Sequence, residues 1–206
     1  MAPAPTPMFP LGSVLFPNAL LPLHVFEDRY QALVDRCLTD DVPFGVVLIE
    51  RGSEVGGGDV RFPVGTLARI VQAGRFDDGR YAVVSAGVQR CRVREWLPDD
   101  PYPQARVEVL EEHADADAAV LIPEVTLLLR RVVALHGRLG AEVPSEEIVL
   151  DEDPILASFE AAAFAPIGSL DAQRLLELDD AGARLAALVD LLTDEAAVLE
   201  FRLSDR

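Results

Sequence analysis

The sequence predicts an α+β protein with two parts: a twisted, barrel-like β-sheet carrying one helix, followed by an α-helical bundle. In the first half, short apolar segments alternate with turns rich in glycine and proline. After Glu112 the glycines become sparse, and alanine and leucine dominate at helical spacing. The chain has 206 residues, enough for two small domains. We therefore expect a β-rich domain over residues 1–112 and a helical domain over residues 113–206.

The first predicted elements are two short strands and a helix. Met8–Leu11 and Leu20–Phe26 each contain proline, which predicts positions at sheet edges or irregular sites. Glu27–Leu38 is predicted to be helical because its apolar residues share one face; these are Tyr30, Leu33, Val34, Cys37 and Leu38. The continuous apolar segment Phe44–Glu50 predicts a central strand that is buried on both sides.

The clearest hairpin joins Thr66–Ala73 to Arg80–Ala86. Between them, Asp78-Gly79 favours a type I′ turn, whose central residues need positive φ. That register places Phe76 opposite Tyr81 as an aromatic cross-strand pair. Two more strands are predicted after this hairpin, over residues 88–96 and 104–110.

Four helices are predicted in the second half. Leucine and valine recur at steps of four and three, at Leu121, Val125, Leu128, Val132, Leu135 and Leu139. Asp153-Pro154 has the residues of a helix start, an N-cap followed by proline, and that helix should end near Pro166. A short helix over Leu170–Leu178 and a long one over Asp180–Leu203 follow. Their apolar seams predict a small bundle.

The charged residues exclude several kinds of chemistry. All 18 basic residues are arginine. A Ser–Lys peptidase, a P-loop nucleotide site and a Schiff-base enzyme each need a lysine, and arginine does not replace it because it stays protonated. The net charge of −17 also disfavours binding to phosphate backbones. We expect a protein that is not an enzyme.

No cofactor or metal is expected. The three histidines, His24, His113 and His136, lack metal-site spacing. A catalytic pairing of His24 with Ser13 is conceivable, but no nucleophile motif supports it. The glycines at Gly56–Gly58 are interpreted as a flexible loop because they fit no phosphate-binding pattern. Cys37 and Cys91 have apolar neighbours, which favours free buried thiols.

The apolar N-terminal stretch does not have the pattern of a signal peptide or a membrane anchor. No basic residue precedes it, and Pro10, Pro17 and Pro22 interrupt it. No other stretch is long enough to span a bilayer. We therefore expect a cytoplasmic protein.

Two sets of residues are candidates for binding. Apolar side chains at the N-terminus exceed what one strand buries, so they either pack in the core or form a groove for extended or unfolded segments; the proposed anchors are Phe9, Phe16, Leu23, Phe26 and Tyr30. An open strand edge there could also add a peptide as a strand. Three arginines at a spacing of two could clamp carboxylates, or pair with Glu108, or face water; these are Arg90, Arg92 and Arg94.

These segments also carry a family resemblance. In order and spacing, a set of segments resembles the N-terminal domain of Lon proteases; these are Phe9-Pro10-Leu11, Leu15-Phe16-Pro17, Pro22–Tyr30, Phe44–Val47, Val64–Ile70, Asp78–Tyr81 and Gly87–Arg90. The resemblance implies a PUA-like sheet followed by helices, recognition of unfolded or damaged polypeptide, and self-association. A chain of this length resembles that domain standing alone, without the ATPase and peptidase modules, as an adaptor or holdase.

An RNA-binding module is the alternative, because PUA-like folds include RNA binders. The acidic charge opposes it, and its support is limited to the arginine-bearing strand.

Overall fold

A computed structural model describes residues 4–52, 60–142 and 148–205. The chain divides into two compact units, Met1–Glu111 and Glu112–Arg206, which we call the β unit and the helical unit. The loop interpretation of Gly56–Gly58 lies outside the described residues.

The β unit contains six strands and one helix, which confirms the mixed α+β class. Its elements are β1 (Thr6–Leu11), β2 (Leu20–Val25), α1 (Asp28–Asp40), β3 (Phe44–Arg51), β4 (Val60–Arg75), β5 (Tyr81–Leu97) and β6 (Gln104–Val109). The strands lie in the order β2-β5-β4-β3-β1-β6, and β5 also pairs with β6. Five strands therefore form a closed ring, and β2 is attached outside it, along the first half of β5.

Strand β1 lies inside the sheet, between β3 and β6, so the edge position predicted as one of its alternatives does not apply. It pairs in parallel with β3 and briefly with β6. The Met8 amide donates to the Pro103 carbonyl, on the β6 side. Pro10 is two residues further along and turns its nitrogen to the same side, beyond the end of the short β1–β6 pairing. Its missing N–H therefore costs no ladder hydrogen bond.

The predicted turn of the β4–β5 hairpin differs from the structure. Arg75 pairs with Tyr81, and the Phe76 amide donates to the Arg80 carbonyl at 2.9 Å. Gly79 has a φ of 90°, whereas Asp78 does not have the positive φ that a type I′ turn needs. Phe76 therefore faces Arg80, not Tyr81, and the loop is longer than the predicted two-residue turn.

The core of the β unit lies between the sheet and α1. The Phe9 and Tyr30 rings stack with centroids 4.1 Å apart, and Phe44 lies against Phe9 at 6.3 Å. Leu33 and Val34 of α1 are buried in the same cluster. The predicted apolar face of this helix is thus a packing face, except that Leu38 at its end is exposed.

The helical unit contains α2 (Ile122–Arg138), α3 (Pro154–Phe164), α4 (Ser169–Glu177) and α5 (Ala181–Ser204). The Asp153 carboxylate accepts hydrogen bonds from the Ile155 and Leu156 amides, which confirms the predicted N-cap. In α2 the buried residues are Val125, Leu129, Val132 and Leu135, whereas the predicted Leu128 is half-buried. A helix with 3.6 residues per turn does not keep a strict seven-residue repeat, so the buried residue after Val125 comes four positions later, at Leu129.

Both thiols are free and buried, as the sequence predicted. Burial raises the pKa of Cys37 and of Cys91 from 9.0 to about 12. We expect a thiol reagent at near-neutral pH to modify neither residue until urea unfolds the protein. Rapid labelling of the folded protein would contradict this expectation.

The same pKa shifts make the stability of the protein depend on pH. The folded-state pKa lies above the unfolded value, so the thiols contribute stability below about pH 9 that is lost as pH rises towards 12.

Candidate functional site

Two exposed phenylalanines flank an open apolar cavity on the β unit. Phe26 lies between β2 and α1 and is 58% exposed, and Phe76 begins the β4–β5 loop and is 50% exposed. The cavity between them measures about 320 Å³ and is lined by His24, Val25, Phe26, Phe76, Arg80 and Tyr81. Exposed aromatic side chains beside a concave apolar surface are typical of an interaction site.

A second, smaller cavity shares His24, Val25 and Phe26 with the first. Its volume is about 80 Å³, and it is lined by Phe9, Leu11, Leu23, His24, Val25, Phe26, Glu27 and Tyr30. Four of the five predicted anchors therefore line one small cavity. Phe26 is exposed and Leu23 is half-buried, whereas Phe9 and Tyr30 belong to the core and present little surface.

The fifth predicted anchor, Phe16, lies apart from these cavities. It is 4% exposed, and it precedes β2 in the loop that packs on β5. A methyl group on Gly87 would lie 2.3 Å from the Phe16 carbonyl oxygen, so the two backbones are in close contact. Phe16 is a core residue in the described structure, and it presents almost no surface to a partner.

The backbone on both sides of Phe26 is held by local polar contacts. The Gln31 side-chain amide donates to the Phe26 carbonyl at 3.0 Å. Arg29 donates to the Glu27 carboxylate at 3.0 Å, and its guanidinium lies 4.5 Å from the centre of the Tyr30 ring. These contacts fix the junction between β2 and α1, so that Phe26 projects from a defined backbone.

The hairpin that carries Phe76 is anchored to α1. The Tyr81 hydroxyl donates to the Asp35 carboxylate at 2.6 Å. This hydrogen bond, with burial, raises the pKa of Tyr81. Arg75 lies 3.8 Å from the same carboxylate. A methyl group on Gly79 would lie 3.3 Å from the Gln31 side-chain oxygen, so the loop itself reaches α1.

Several charged side chains near the two phenylalanines form ion pairs with one another. Arg80 donates to the Asp78 carboxylate at 2.7 Å, and this bond holds the pKa of Asp78 below its ordinary value. Arg29 pairs with Glu27, and Arg75 with Asp35. The site therefore offers apolar surface and matched ion pairs, and these suit an apolar partner better than a charged one.

The three arginines of the predicted carboxylate-binding face do not share an exposed face. Arg90 is 0% exposed, and one of its guanidinium nitrogens donates to the Glu111 carbonyl at 3.5 Å. Arg94 pairs with Glu108 across the β5–β6 ladder, the alternative that the sequence left open. A bulge between Val93 and Glu95 shifts the register there and breaks the strict alternation. Of the three, Arg92 is half-buried, and the exposed Arg94 is already paired with Glu108.

Within residues 4–52, 60–142 and 148–205, no three His, Cys, Asp or Glu side chains cluster in a way that could hold a metal ion. Over the same residues, no helix combines the length and the hydropathy needed to cross a bilayer.

Four residues that line the larger cavity were not among the predicted anchors; these are Phe76, Arg80, Tyr81 and His24. The signal was an aromatic residue immediately before the Asp77-Asp78-Gly79 turn, where a side chain has few neighbours to bury it. The predicted two-residue turn concealed this signal by pairing Phe76 with Tyr81.

Comparison with protein families identifies the family of this chain. The family model that describes the "ATP-dependent protease La (LON) substrate-binding domain" matches residues 5–194. The chain belongs to the Lon substrate-binding domain family. The resemblance seen in the sequence is thus confirmed, and the match includes both the β unit and most of the helical unit.

Relatives within Lon proteases show the same relationship. The chain is 30% identical over 204 residues to the Lon protease of Anaeromyxobacter dehalogenans (strain 2CP-C), covering 96% of this chain and 24% of that protease. It is equally similar to Lon protease 2 of Myxococcus xanthus, at 30% over 204 residues with the same coverage. The chain therefore spans about a quarter of the length of these curated relatives.

Solved structures agree with the fold. The crystal structure of a Lon N-terminal domain protein from Xanthomonas campestris superposes with a TM-score of 0.67 at 26% identity, covering 91% of this chain and 98% of that one. The N-terminal domain of Mycobacterium avium complex Lon protease gives a TM-score of 0.64 at 21% identity, covering 93% and 99%. At that identity the second structure supports the fold alone.

Proposed function

We propose that this protein is a non-catalytic polypeptide-binding module that holds extended or unfolded segments at the surface formed by Phe26 and Phe76. The observation that carries the proposal is the pair of exposed phenylalanines that line one apolar cavity. The membership of the chain in a family of substrate-binding domains supports the same role.

The chemistry of the surface favours unfolded partners. Fully burying a phenylalanine side chain contributes roughly 1.5–3 kcal/mol, so covering these two half-exposed rings contributes about half of that for each. Folded proteins keep most of their large apolar side chains inside, whereas unfolded segments expose them. Three ion pairs near the cavity match each other in charge, and exposed surface ion pairs contribute little binding energy of their own.

Binding without catalysis is the second part of the proposal. The sequence contains no lysine for a Ser–Lys peptidase or a P-loop, and the matching family model describes a substrate-binding domain. We propose an adaptor- or holdase-like role in the cytoplasm, in which the module passes its client to another protein or keeps it from aggregating. Self-association of the module would be compatible with this role.

The binding site is tested by replacing both exposed phenylalanines. We expect Phe26→Ser combined with Phe76→Ser to weaken binding of fluorescently labelled, reduced and carboxymethylated α-lactalbumin by at least roughly tenfold. The matched control is Val109→Ser, because Val109 is also exposed and apolar but lies on β6, away from both cavities. Anisotropy titrations measure the affinity. Equal affinities for the double variant and the control would refute the assignment.

Phe16 serves as the opposite kind of control. Because Phe16 is buried, we expect Phe16→Ser to lower the free energy of unfolding by roughly 3–5 kcal/mol. Phe26→Ser should leave stability nearly unchanged, since its side chain is already half in solvent. Urea unfolding followed by circular dichroism compares the two. Similar losses of stability would show that Phe26 is a core residue as well.

The structure does not strengthen the RNA-binding alternative. Its support was the face of three arginines, and Arg90 is buried. The net charge of −17 opposes contact with phosphates. We expect no salt-sensitive retention of RNA in a filter-binding assay.

A further inference from the structure

Strand β2 has a partner strand on one side only. It pairs with β5 from Leu20↔Ala86 to Val25↔Tyr81. Among the residues that the structure describes, no strand pairs with its other edge. Leu20, Pro22 and His24 are exposed along it, and Leu20 reaches 67%. An unpaired edge presents backbone N–H and C=O groups that can bind a further strand.

The hydrogen bonds at the start of β2 determine which backbone groups face this edge. The Gly87 amide donates to the Ala19 carbonyl at 2.9 Å, and the Asn18 amide donates to the Gly87 carbonyl at 2.9 Å. In an antiparallel ladder, residues with both groups towards the partner alternate with residues that turn both groups away. From Ala19, the alternation directs Leu21, Leu23 and Val25 to β5. Leu20, Pro22 and His24 therefore direct their backbone groups outward.

Pro22 agrees with this assignment. Proline lacks an N–H, and within sheets it is tolerated where that N–H would point to solvent. Its carbonyl still faces outward and can accept a hydrogen bond. The open edge thus offers two amides, those of Leu20 and His24, and three carbonyls. At its far end, the Phe26 carbonyl already accepts a hydrogen bond from Gln31, so the free edge ends beside the two phenylalanines.

We propose that the client binds as an additional β-strand along the outer edge of β2, with one of its apolar side chains in the cavity between Phe26 and Phe76. This rests on the proposed function and specifies its binding mode. The edge recognises the extended backbone, which every unfolded segment has, and the cavity recognises an apolar side chain. Such a division explains how one small surface accepts many sequences.

An unfolded client suits this edge better than a second copy of the chain. In a two-fold antiparallel pairing of β2 with itself centred on Pro22, proline would face proline. Neither residue can donate, so the central pair would lose both of its hydrogen bonds. A client strand without proline at that point loses only the bond that Pro22 itself cannot donate. Pro22 therefore disfavours self-pairing while leaving the edge open to other sequences.

The proposal is tested first with the unaltered protein. The probe is a fluorescein-labelled peptide of about seven residues that alternates valine and threonine around a central phenylalanine, long enough to cover β2. N-methylation removes one amide N–H at a time. We expect roughly three- to tenfold weaker binding at alternate positions and little change at the positions between them. A flat or non-periodic profile would overturn the added-strand proposal.

Two substitutions in β2 test the protein side of the same ladder. His24→Pro removes an outward N–H and should weaken the peptide roughly three- to tenfold. Pro22→Val adds one and should tighten it by roughly two- to tenfold, measured at concentrations where sedimentation shows a monomer. Affinities unchanged in both variants, with folding verified by circular dichroism, would contradict the ladder.

The experiments distinguish an error in the proposed binding mode from an error in the proposed function. If the peptide binds and Phe26→Ser weakens it, but N-methylation has no periodic effect, the function stands and the added strand is wrong. If neither the peptide nor carboxymethylated α-lactalbumin binds the unaltered protein, both proposals are wrong.

Discussion

Replacing Arg184 with methionine should lower the free energy of unfolding of the helical unit by roughly 3–5 kcal/mol. The side chain is fully buried. It donates hydrogen bonds to the carbonyls of Leu175 and Leu178, to the Ser158 hydroxyl and to the Glu112 carboxylate. Methionine replaces only the aliphatic part of the side chain and leaves these acceptors unsatisfied, and a buried acceptor without a partner is costly.

The geometry of the guanidinium makes this position specific for arginine. Its carbon lies 3.9 Å from the centre of the Phe159 ring, so the planar group stacks while it donates in several directions. Arg184→Lys should therefore also destabilise the helical unit strongly.

The matched control for Arg184→Met is Arg174→Met, because Arg174 is a largely exposed arginine of α4 paired with Asp171. Loss of this exposed ion pair should cost at most about 1 kcal/mol. Urea unfolding followed by far-ultraviolet circular dichroism, which reports helices, compares the variants. Equal midpoints for Arg184→Met and Arg174→Met would show that the network adds no stability.

Gly65→Ala should destabilise the β unit by about 3 kcal/mol, the upper part of the usual range for overpacking. A methyl group at Gly65 would lie 2.1 Å from the Val46 carbonyl oxygen and 2.7 Å from a Val47 methyl carbon. The nearest atom belongs to the backbone of β3, which is paired on both sides and has little freedom to move. The contact therefore distorts the ladder at the centre of the sheet.

Gly74→Ala is the control for this effect. It lies on the same strand, β4, and the nearest atom to an added methyl group is the Ala82 carbonyl oxygen at 3.9 Å, an ordinary contact. We expect this variant to unfold close to the unaltered protein. Hydrogen exchange of the β3 and β4 amides, which reports the β unit directly, distinguishes the two glycines. Equal protection in both variants would mean that the sheet accommodates the methyl group at Gly65.

Much of the fold was predictable because local signals agreed with the tertiary structure. The spacing of apolar residues located α1 and the long helix α5, and Asp153 and Asp180 cap helices with their side chains. The continuous apolar run of β3 is buried in the sheet. Pro22 lies on an edge strand, as proline in a strand predicts.

The errors arose where pairing between distant segments decides the outcome. Pro10 lies in an inner strand because the neighbouring ladder ends before reaching it, and no local pattern shows where a partner strand ends. The bulge between Val93 and Glu95 removes Arg94 from the alternation assumed for the arginines, and Arg90 is buried although it lies outside this bulge.

The sequence predicted that the binding surface is apolar, but it did not predict which residues form it. Phe9, Phe16, Leu23, Phe26 and Tyr30 are equally apolar in the sequence, and only packing distinguishes core from surface. Phe26 is exposed because it falls between β2 and α1, where neither element directs it inward. Its counterpart across the cavity, Phe76, comes from a hairpin about fifty residues further along the chain. Local periodicity carries no information about such a distant partner.

Chemical-shift mapping tests the central claim most directly. The isotope-labelled protein is titrated with the valine–threonine–phenylalanine peptide, and backbone amide resonances are followed by NMR. We predict shifts confined to residues 20–26 and 74–81, the segments that contain the free edge of β2, Phe26 and Phe76, with β6 and the helical unit unaffected. Shifts concentrated in the helical unit, or no shifts at saturating peptide, would contradict the assignment of this surface as the site of polypeptide recognition.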